Sequence, residues 1–262
     1  MNFLRGWGGV VIITLMVTAL LAGCVSAVFF GVTSFFQRFE FNIDNAQRQG
    51  TWEQTFAVVP EVAVETANGG ISVQTWELEQ VEVVATYRYK DEEFKFEPII
   101  EETEAGLRLS YTRNGDPRAV SFALKVPEDT RLDLSSGNGS IDISGPGSAP
   151  LDLYTGNGSI QLADWEGDVV ERTGNGSIEL NLDLLSVGDY DLNSGNGKIV
   201  LSVHPDSQLT VEASTGNGRF DQQLPGLWEI RAQGKRFEGT YNGGGAQLKL
   251  QSGNGNIIIQ ER

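Results

Sequence analysis

One cysteine and one histidine in 262 residues remove most of the usual parts of an active site. A lone cysteine, Cys24, closes no internal disulfide, so packing and hydrogen-bonded ladders have to hold the fold. With His204 as the sole imidazole, Cys/His zinc sites and triads built on a histidine base lose their components. His204 precedes Pro205 and reads as a solvated loop residue. Basic residues are also scarce: 19 Lys and Arg against 35 Asp and Glu leave a formal charge of −16, which repels nucleic acid and anionic membrane surfaces. Helical periodicity is missing as well. Past residue 50 no segment repeats its apolar residues at 3.6, and the nearest candidate, Asp91 to Glu104, holds a dense acidic cluster and Pro98, so it reads as a solvated connection. Period-two alternation takes its place at Phe56–Val59, Val62–Glu65, Val81–Tyr89, Leu107–Tyr111 and Val120–Val126, the pattern of strands.

Glycine is in excess, with 32 residues where an average share is about 7%. Much of it lies in one motif. Gly-Asn-Gly begins at Gly137, Gly156, Gly174, Gly195, Gly216 and Gly253, with first intervals of 19, 18, 21 and 21 residues, the spacing of a unit that must stack to bury its apolar face. Apolar residues alternate on both sides, as in Leu151-Asp152-Leu153 before Gly156 and Ile160-Gln161-Leu162 after it, so each arm is a strand with one buried side. Between the arms the chain turns, and glycine supplies positive φ there at no steric cost, with asparagine the best tolerated of the rest. In a meander each motif would be a hairpin tip. In a solenoid each would be a corner, every arm pairing with its equivalent one strand spacing, about 4.8 Å, away. The solenoid is favoured because Asn138, Asn157, Asn175, Asn196, Asn217 and Asn254 would then form a side-chain ladder, whereas a hairpin tip has less reason to repeat the asparagine. The expected fold is all-β, a single-stranded β-solenoid with about 18–21 residues per coil.

Its core is expected in columns. Ile141, Ile160, Ile178, Ile199, Phe220 and Ile257 form one; Ile143, Leu162, Leu180, Leu201 and Ile259, with Gln222 as the exception, form a second; Leu134, Leu153, Leu192, Ala213 and Leu250 form a third. Glu171 falls in the third column, and a one-residue slip that turns Val170 inward is expected there, because an unpaired buried carboxylate is costly. Gly216 and Gly253 are 37 residues apart, with Tyr241-Asn242-Gly243-Gly244-Gly245 as a degenerate turn between them, and Trp228 and Phe237 are expected to cover the end of the stack. One isoleucine of Ile257-Ile258-Ile259 faces outward, which offers an oligomer contact through the C-terminal end.

The amino terminus is read separately. Arg5, an apolar run and Leu21-Ala22-Gly23-Cys24 resemble a bacterial lipoprotein signal with Cys24 as the lipidation site. The apolar residues continue to Phe36, however, and the stretch exceeds the roughly 20 residues that span a bilayer. Residues 1–36 are therefore a lipoprotein signal or a transmembrane anchor, 37–55 a tether and 56–262 the solenoid domain, outside the cytoplasm and attached to the bacterial cell membrane.

The repeats, with Gly156-Asn157-Gly158-Ser159-Ile160 and Gly174-Asn175-Gly176-Ser177-Ile178 as full copies, resemble the bacterial putative adhesin family of unknown function. The resemblance covers residues 56 to 262. It implies an extracytoplasmic β-solenoid and carries no catalytic residues. Acidic side chains four residues before several motifs, Asp133, Asp152, Asp191 and Glu212, read as a solvated face, with a weak divalent-cation site as the sharper alternative. Arg172, Lys198 and Arg219 do not converge as a polysaccharide-cleaving site requires, and no helix start or basic anchor makes the glycines a phosphate cradle. The reading is a non-catalytic surface module without metal or cofactor, an adhesin or structural protein with a protein or glycan ligand. Its rivals are a partner of an envelope-stress system and, behind that, a polysaccharide-active enzyme.

Overall fold

The computed structural model describes residues 48–262, apart from 92, 113, 114 and 227. The anchor reading of 1–36, Cys24 and most of the 37–55 tether lie outside the described residues. Two sheets, of 10 and 11 strands, face each other across one core. Each Gly-Asn-Gly carries the chain from the larger sheet to the smaller. β8 (Arg131–Asn138) leads into β9 (Ile141–Ser144), β10 (Leu151–Asn157) into β11 (Ile160–Ala163), β12 (Val169–Thr173) into β13 (Ile178–Asn181), and β14 (Asp189–Ser194) into β15 (Ile199–Val203). Equivalent arms pair in parallel, β8 with β10 with β12 with β14, and β9 with β11 with β13 with β15. The motif is a solenoid corner and not a hairpin tip.

Two coils stack out of chain order. After β16 (Leu209–Thr215) and β17 (Phe220–Gln222) the chain forms the hairpin of β18 (Trp228–Gln233) and β19 (Arg236–Tyr241), then returns as β20 (Ala246–Ser252) and β21 (Ile257–Glu261). β20 pairs with β14 on one side and β16 on the other, and β21 with β15 and β17. The last coil of the chain is thus wedged inside the stack. The long interval before Gly253 holds no extra coil; its hairpin lies antiparallel on β16. β21 is flanked on both sides, and Ile258, the isoleucine that faces outward, is half-buried.

The opposite end repeats the arrangement. β2 (Glu61–Asn68) and β3 (Ile71–Trp76) lie between the β8–β9 coil and a coil made of β6 (Gly106–Ser110) and β7 (Ala119–Pro127). Antiparallel strands then cover that end: β4 (Gln80–Tyr89) on β7, β1 (Arg48–Ala57) on β4, and β5 (Ile99–Thr103) on β6. Two expectations are adjusted here. β1 begins inside the segment read as a tether, and the Asp91–Glu104 connection contains β5 and buries Phe96, whose ring stacks on Tyr87 at 4.4 Å.

The columns are in register. Ile141, Ile160, Ile178, Ile199 and Ile257 are each fully buried and occupy equivalent positions, with Ile71 added at one end and the half-buried Phe220 at the other. Fully burying such a side chain stabilises by about 1.5–3 kcal/mol, so the column alone outweighs any single polar contact in the fold. At the far end Phe237 stacks on Phe220 at 3.8 Å, and Trp228 packs on Phe237 and Tyr241, the expected cover.

The slip at Glu171 does not occur. Glu171 pairs with Leu153 and Leu192, is 0% exposed, and neither carboxylate oxygen has a partner, while Val170 faces outward. Shifting β12 by one residue would expose Val169 and Thr173 and turn Arg172 inward. A carboxyl can enter the core by taking up a proton; a guanidinium stays charged at any ordinary pH. Burial accordingly pushes the Glu171 pKa up from 4.5 to about 8.

The corners hold two parallel ladders. Each asparagine amide donates to the carbonyl oxygen of the asparagine in the coil before it, running from Asn217 through Asn254, Asn196, Asn175, Asn157 and Asn138 to Asn68, at 2.5 to 2.9 Å. The insertion of the last coil is visible in this order, with Asn254 between Asn196 and Asn217. A hydroxyl precedes every motif, at Ser136, Thr155, Thr173, Ser194, Thr215 and Ser252, and each donates to a glycine carbonyl of the neighbouring coil at 2.8 or 2.9 Å. The glycines do a different job from the one expected: none of the six motifs has a glycine at positive φ. Glycine is required because the coils touch. A Cβ on Gly176 would lie 1.9 Å from the carbonyl oxygen of Gly158, a contact that only backbone movement relieves. Gly176→Ala is expected to destabilise by about 3 kcal/mol, read as a lower urea midpoint, whereas Gly234→Ala, with nothing within 4 Å of its Cβ, should cost less, through its positive φ alone.

Candidate interaction surface

The alternation that sends one side of each strand inward leaves an outward row on the larger sheet. Asp133, Asp152, Val170, Asp191, Lys249 and Glu212 occupy one register position on successive strands. The acidic residues singled out from the sequence therefore do not form an unbroken column. Val170 separates Asp152 from Asp191, and the wedged coil sets Lys249 between Asp191 and Glu212, with its Nζ 3.2 Å from Asp191 Oδ2. Asp133 and Asp152 remain side by side; partial burial and then the Asp152 charge raise the Asp133 pKa, while Arg172 lies 3.7 Å from Asp152.

Beyond Glu212 the row continues through Glu238 to Arg231 on the end hairpin, and Arg236 pairs with both Glu212 and Glu238. From Val170 to Arg231 the row lines a groove of about 910 Å³, whose walls include Asp168, Asp189, Tyr190, Thr240 and Gln247. Tyr190 is a fixed wall: its hydroxyl donates to the Trp165 carbonyl at 3.3 Å, and burial, followed by Asp168 and Glu166, raises its pKa so that it stays protonated. The lining carries more carboxylates than cations, but Lys249 and Arg236 hold three of them in ion pairs.

The other sequence candidates lie apart. His204 is on the exposed connection after β15, where its Nδ1 accepts the Asp206 N–H at 3.1 Å. Lys198 pairs with Glu179 at 2.7 Å on the smaller sheet, and the Arg219 backbone N–H donates to Asn256 Oδ1 at 3.0 Å; neither these two nor Arg172 lines the groove. Among the described residues no three His, Cys, Asp or Glu side chains come together as a metal site. The hydroxyl ladder was missed from the sequence, although a Ser or Thr before every Gly-Asn-Gly was its signal. The groove was missed because Glu238 and Arg231 reach it only through the end hairpin.

Residues 53–260 match the family described as Toastrack DUF4097. The chain belongs to that family. The Toastrack domain thus spans nearly all of the described structure, whose stacked coils account for the repeats. Among solved structures, a putative cell adhesion protein from Clostridium sporogenes aligns at 13% identity over 81% of this chain and 100% of its own, with a TM-score of 0.50, a likeness of fold. A putative adhesin from Bacteroides fragilis aligns at 10% identity over 81% and 97%, with a TM-score of 0.46. A putative lipid binding protein from Parabacteroides distasonis aligns at 10% identity over 82% and 95%, with a TM-score of 0.33. No curated protein matches this Toastrack chain.

Proposed function

We propose that this Toastrack protein is a non-catalytic module, tethered to the outside of the bacterial cell membrane by residues 1–36, that holds a protein or glycan in the groove between Val170 and Arg231. The observation behind this reading is the groove itself. It lies on a scaffold fixed by repeated corners and aliphatic columns, and three of its five carboxylates are held in ion pairs by Lys249 and Arg236 instead of standing ready for general acid–base work. The adhesion-related names of the solved relatives support a surface role.

Arg231 and Gln247 line the groove without entering the core, so Arg231→Glu and Gln247→Lys should leave thermal melting unchanged. Cells carrying the full-length double variant should attach less to surfaces than cells with the unaltered chain. Attachment equal to the unaltered chain, with equal surface amounts, would contradict the reading, and altered envelope-stress promoter output with normal attachment would favour a signalling partner instead. The tether is tested by the mass of the amino-terminal peptide from membranes: diacylglycerol on Cys24 identifies a lipoprotein, an intact apolar stretch a transmembrane anchor.

A further inference from the structure

Among the described residues each sheet ends in two edge strands, and three of these four are short: five residues in β5, three in β17 and six in β18. The fourth is β1. It pairs with β4 at all ten positions from Arg48 to Ala57 without a bulge, and among the described residues no strand pairs with its other edge. Strands left open in this way are ordinarily blunted by proline, by lysine or by a bulge. β1 has none of these. Its only charged residues are Arg48 and Glu53, so in a chain of charge −16 it is a neutral strip.

The geometry points to β1 as a self-pairing edge, at which a second copy of this chain adds its own β1 antiparallel to the first. Symmetry and charge select the register. A twofold axis perpendicular to the sheet keeps inner faces on one side, so opposed residues must share parity. The two parity-keeping registers with greatest overlap centre on Trp52 or on Glu53. Centring on Glu53 sets two carboxylates directly opposite each other, which is destabilising. Centring on Trp52 sets that half-buried ring beside its twin and places Glu53 opposite Thr51, whose side chain is exposed. The two sheets of smaller size then become one continuous sheet through the dimer.

Substitutions at Thr51 test both the interface and its register. Sedimentation of the purified full-length chain in detergent should show a concentration-dependent dimer. Thr51→Lys places an opposite charge facing Glu53 twice and should tighten the dimer about fivefold, while Thr51→Glu opposes two carboxylate pairs and should weaken it about fivefold. Melting temperatures of both variants should match the unaltered chain, because Thr51 is exposed and packs on nothing in the core. A monomer at every concentration, a dimer insensitive to both substitutions, or shifts in the reverse order would each overturn the proposal.

Discussion

Glu171→Leu is expected to raise stability by about 3 kcal/mol at pH 7 and by about 5 kcal/mol at pH 9. Unfolded, the carboxyl titrates near 4.5; in the core it titrates near 8. Between those values the native chain holds a proton that the unfolded chain has released, so each rise in pH favours unfolding. The native contribution is intact below pH 4.5, falls steadily to pH 8 and is constant above. Leucine removes the titration and also the two unpartnered oxygens, and it restores the column formed by Leu153 and Leu192. Glu171→Gln separates the two effects: it should abolish the pH dependence while keeping an unsatisfied polar group in the core. Urea midpoints measured from pH 5 to 9 check this. A midpoint with the same slope against pH in the Leu and Gln variants as in the unaltered chain would show that Glu171 is not the buried proton.

Removing residues 246–262 is expected to be far more damaging than removal of a terminal repeat. In a solenoid stacked in chain order the last coil is an end, and losing it costs one set of neighbours. Here β20 and β21 join the β14–β15 coil to the β16–β17 coil. Their loss takes Leu248, Leu250, Ile257 and Ile259 from the core and leaves β16 to β19 with no stack to rest on. At about 1.5–3 kcal/mol per side chain, the four account for about 6–12 kcal/mol, comparable with the whole stability of an ordinary domain. The truncated chain should fail to show a cooperative melt, and the peptide 246–262 added in excess should restore it. A truncated chain that melts cooperatively within a few degrees of the full chain would place the last coil outside the stack.

What the sequence made legible follows from local rules. Alternation identified the strands, the recurrence of Gly-Asn-Gly identified the coils, and one side chain per coil identified the columns from Ile141 to Ile257. The errors share a cause: each depended on what a neighbouring coil supplies. Glycine permits both positive φ and close backbone contact, and only the carbonyl of Gly158 against Gly176 tells which is in use. Glu171 looked unburiable because a carboxylate was compared with water; the relevant comparison was with Arg172, which the slip would have buried. Asp191 and Glu212 looked like stacked charges because chain order was equated with spatial order. Lys249, far along the chain, lies between them. The groove was illegible for the same reason, since its far wall comes from a hairpin that a continuous repeat would not contain.

Amide hydrogen exchange of the full-length chain resolved by peptide tests that out-of-order stacking most directly. β21 is hydrogen-bonded between β15 and β17, whereas β17 has a ladder on one side only among the described residues. Amides of Ile257–Glu261 should therefore exchange as slowly as those of Ile178–Asn181 in mid-stack, and amides of Phe220–Gln222 much faster. Fast exchange at Ile257–Glu261 with slow exchange at Phe220–Gln222 would put the coils back in chain order and contradict the wedged C-terminal coil.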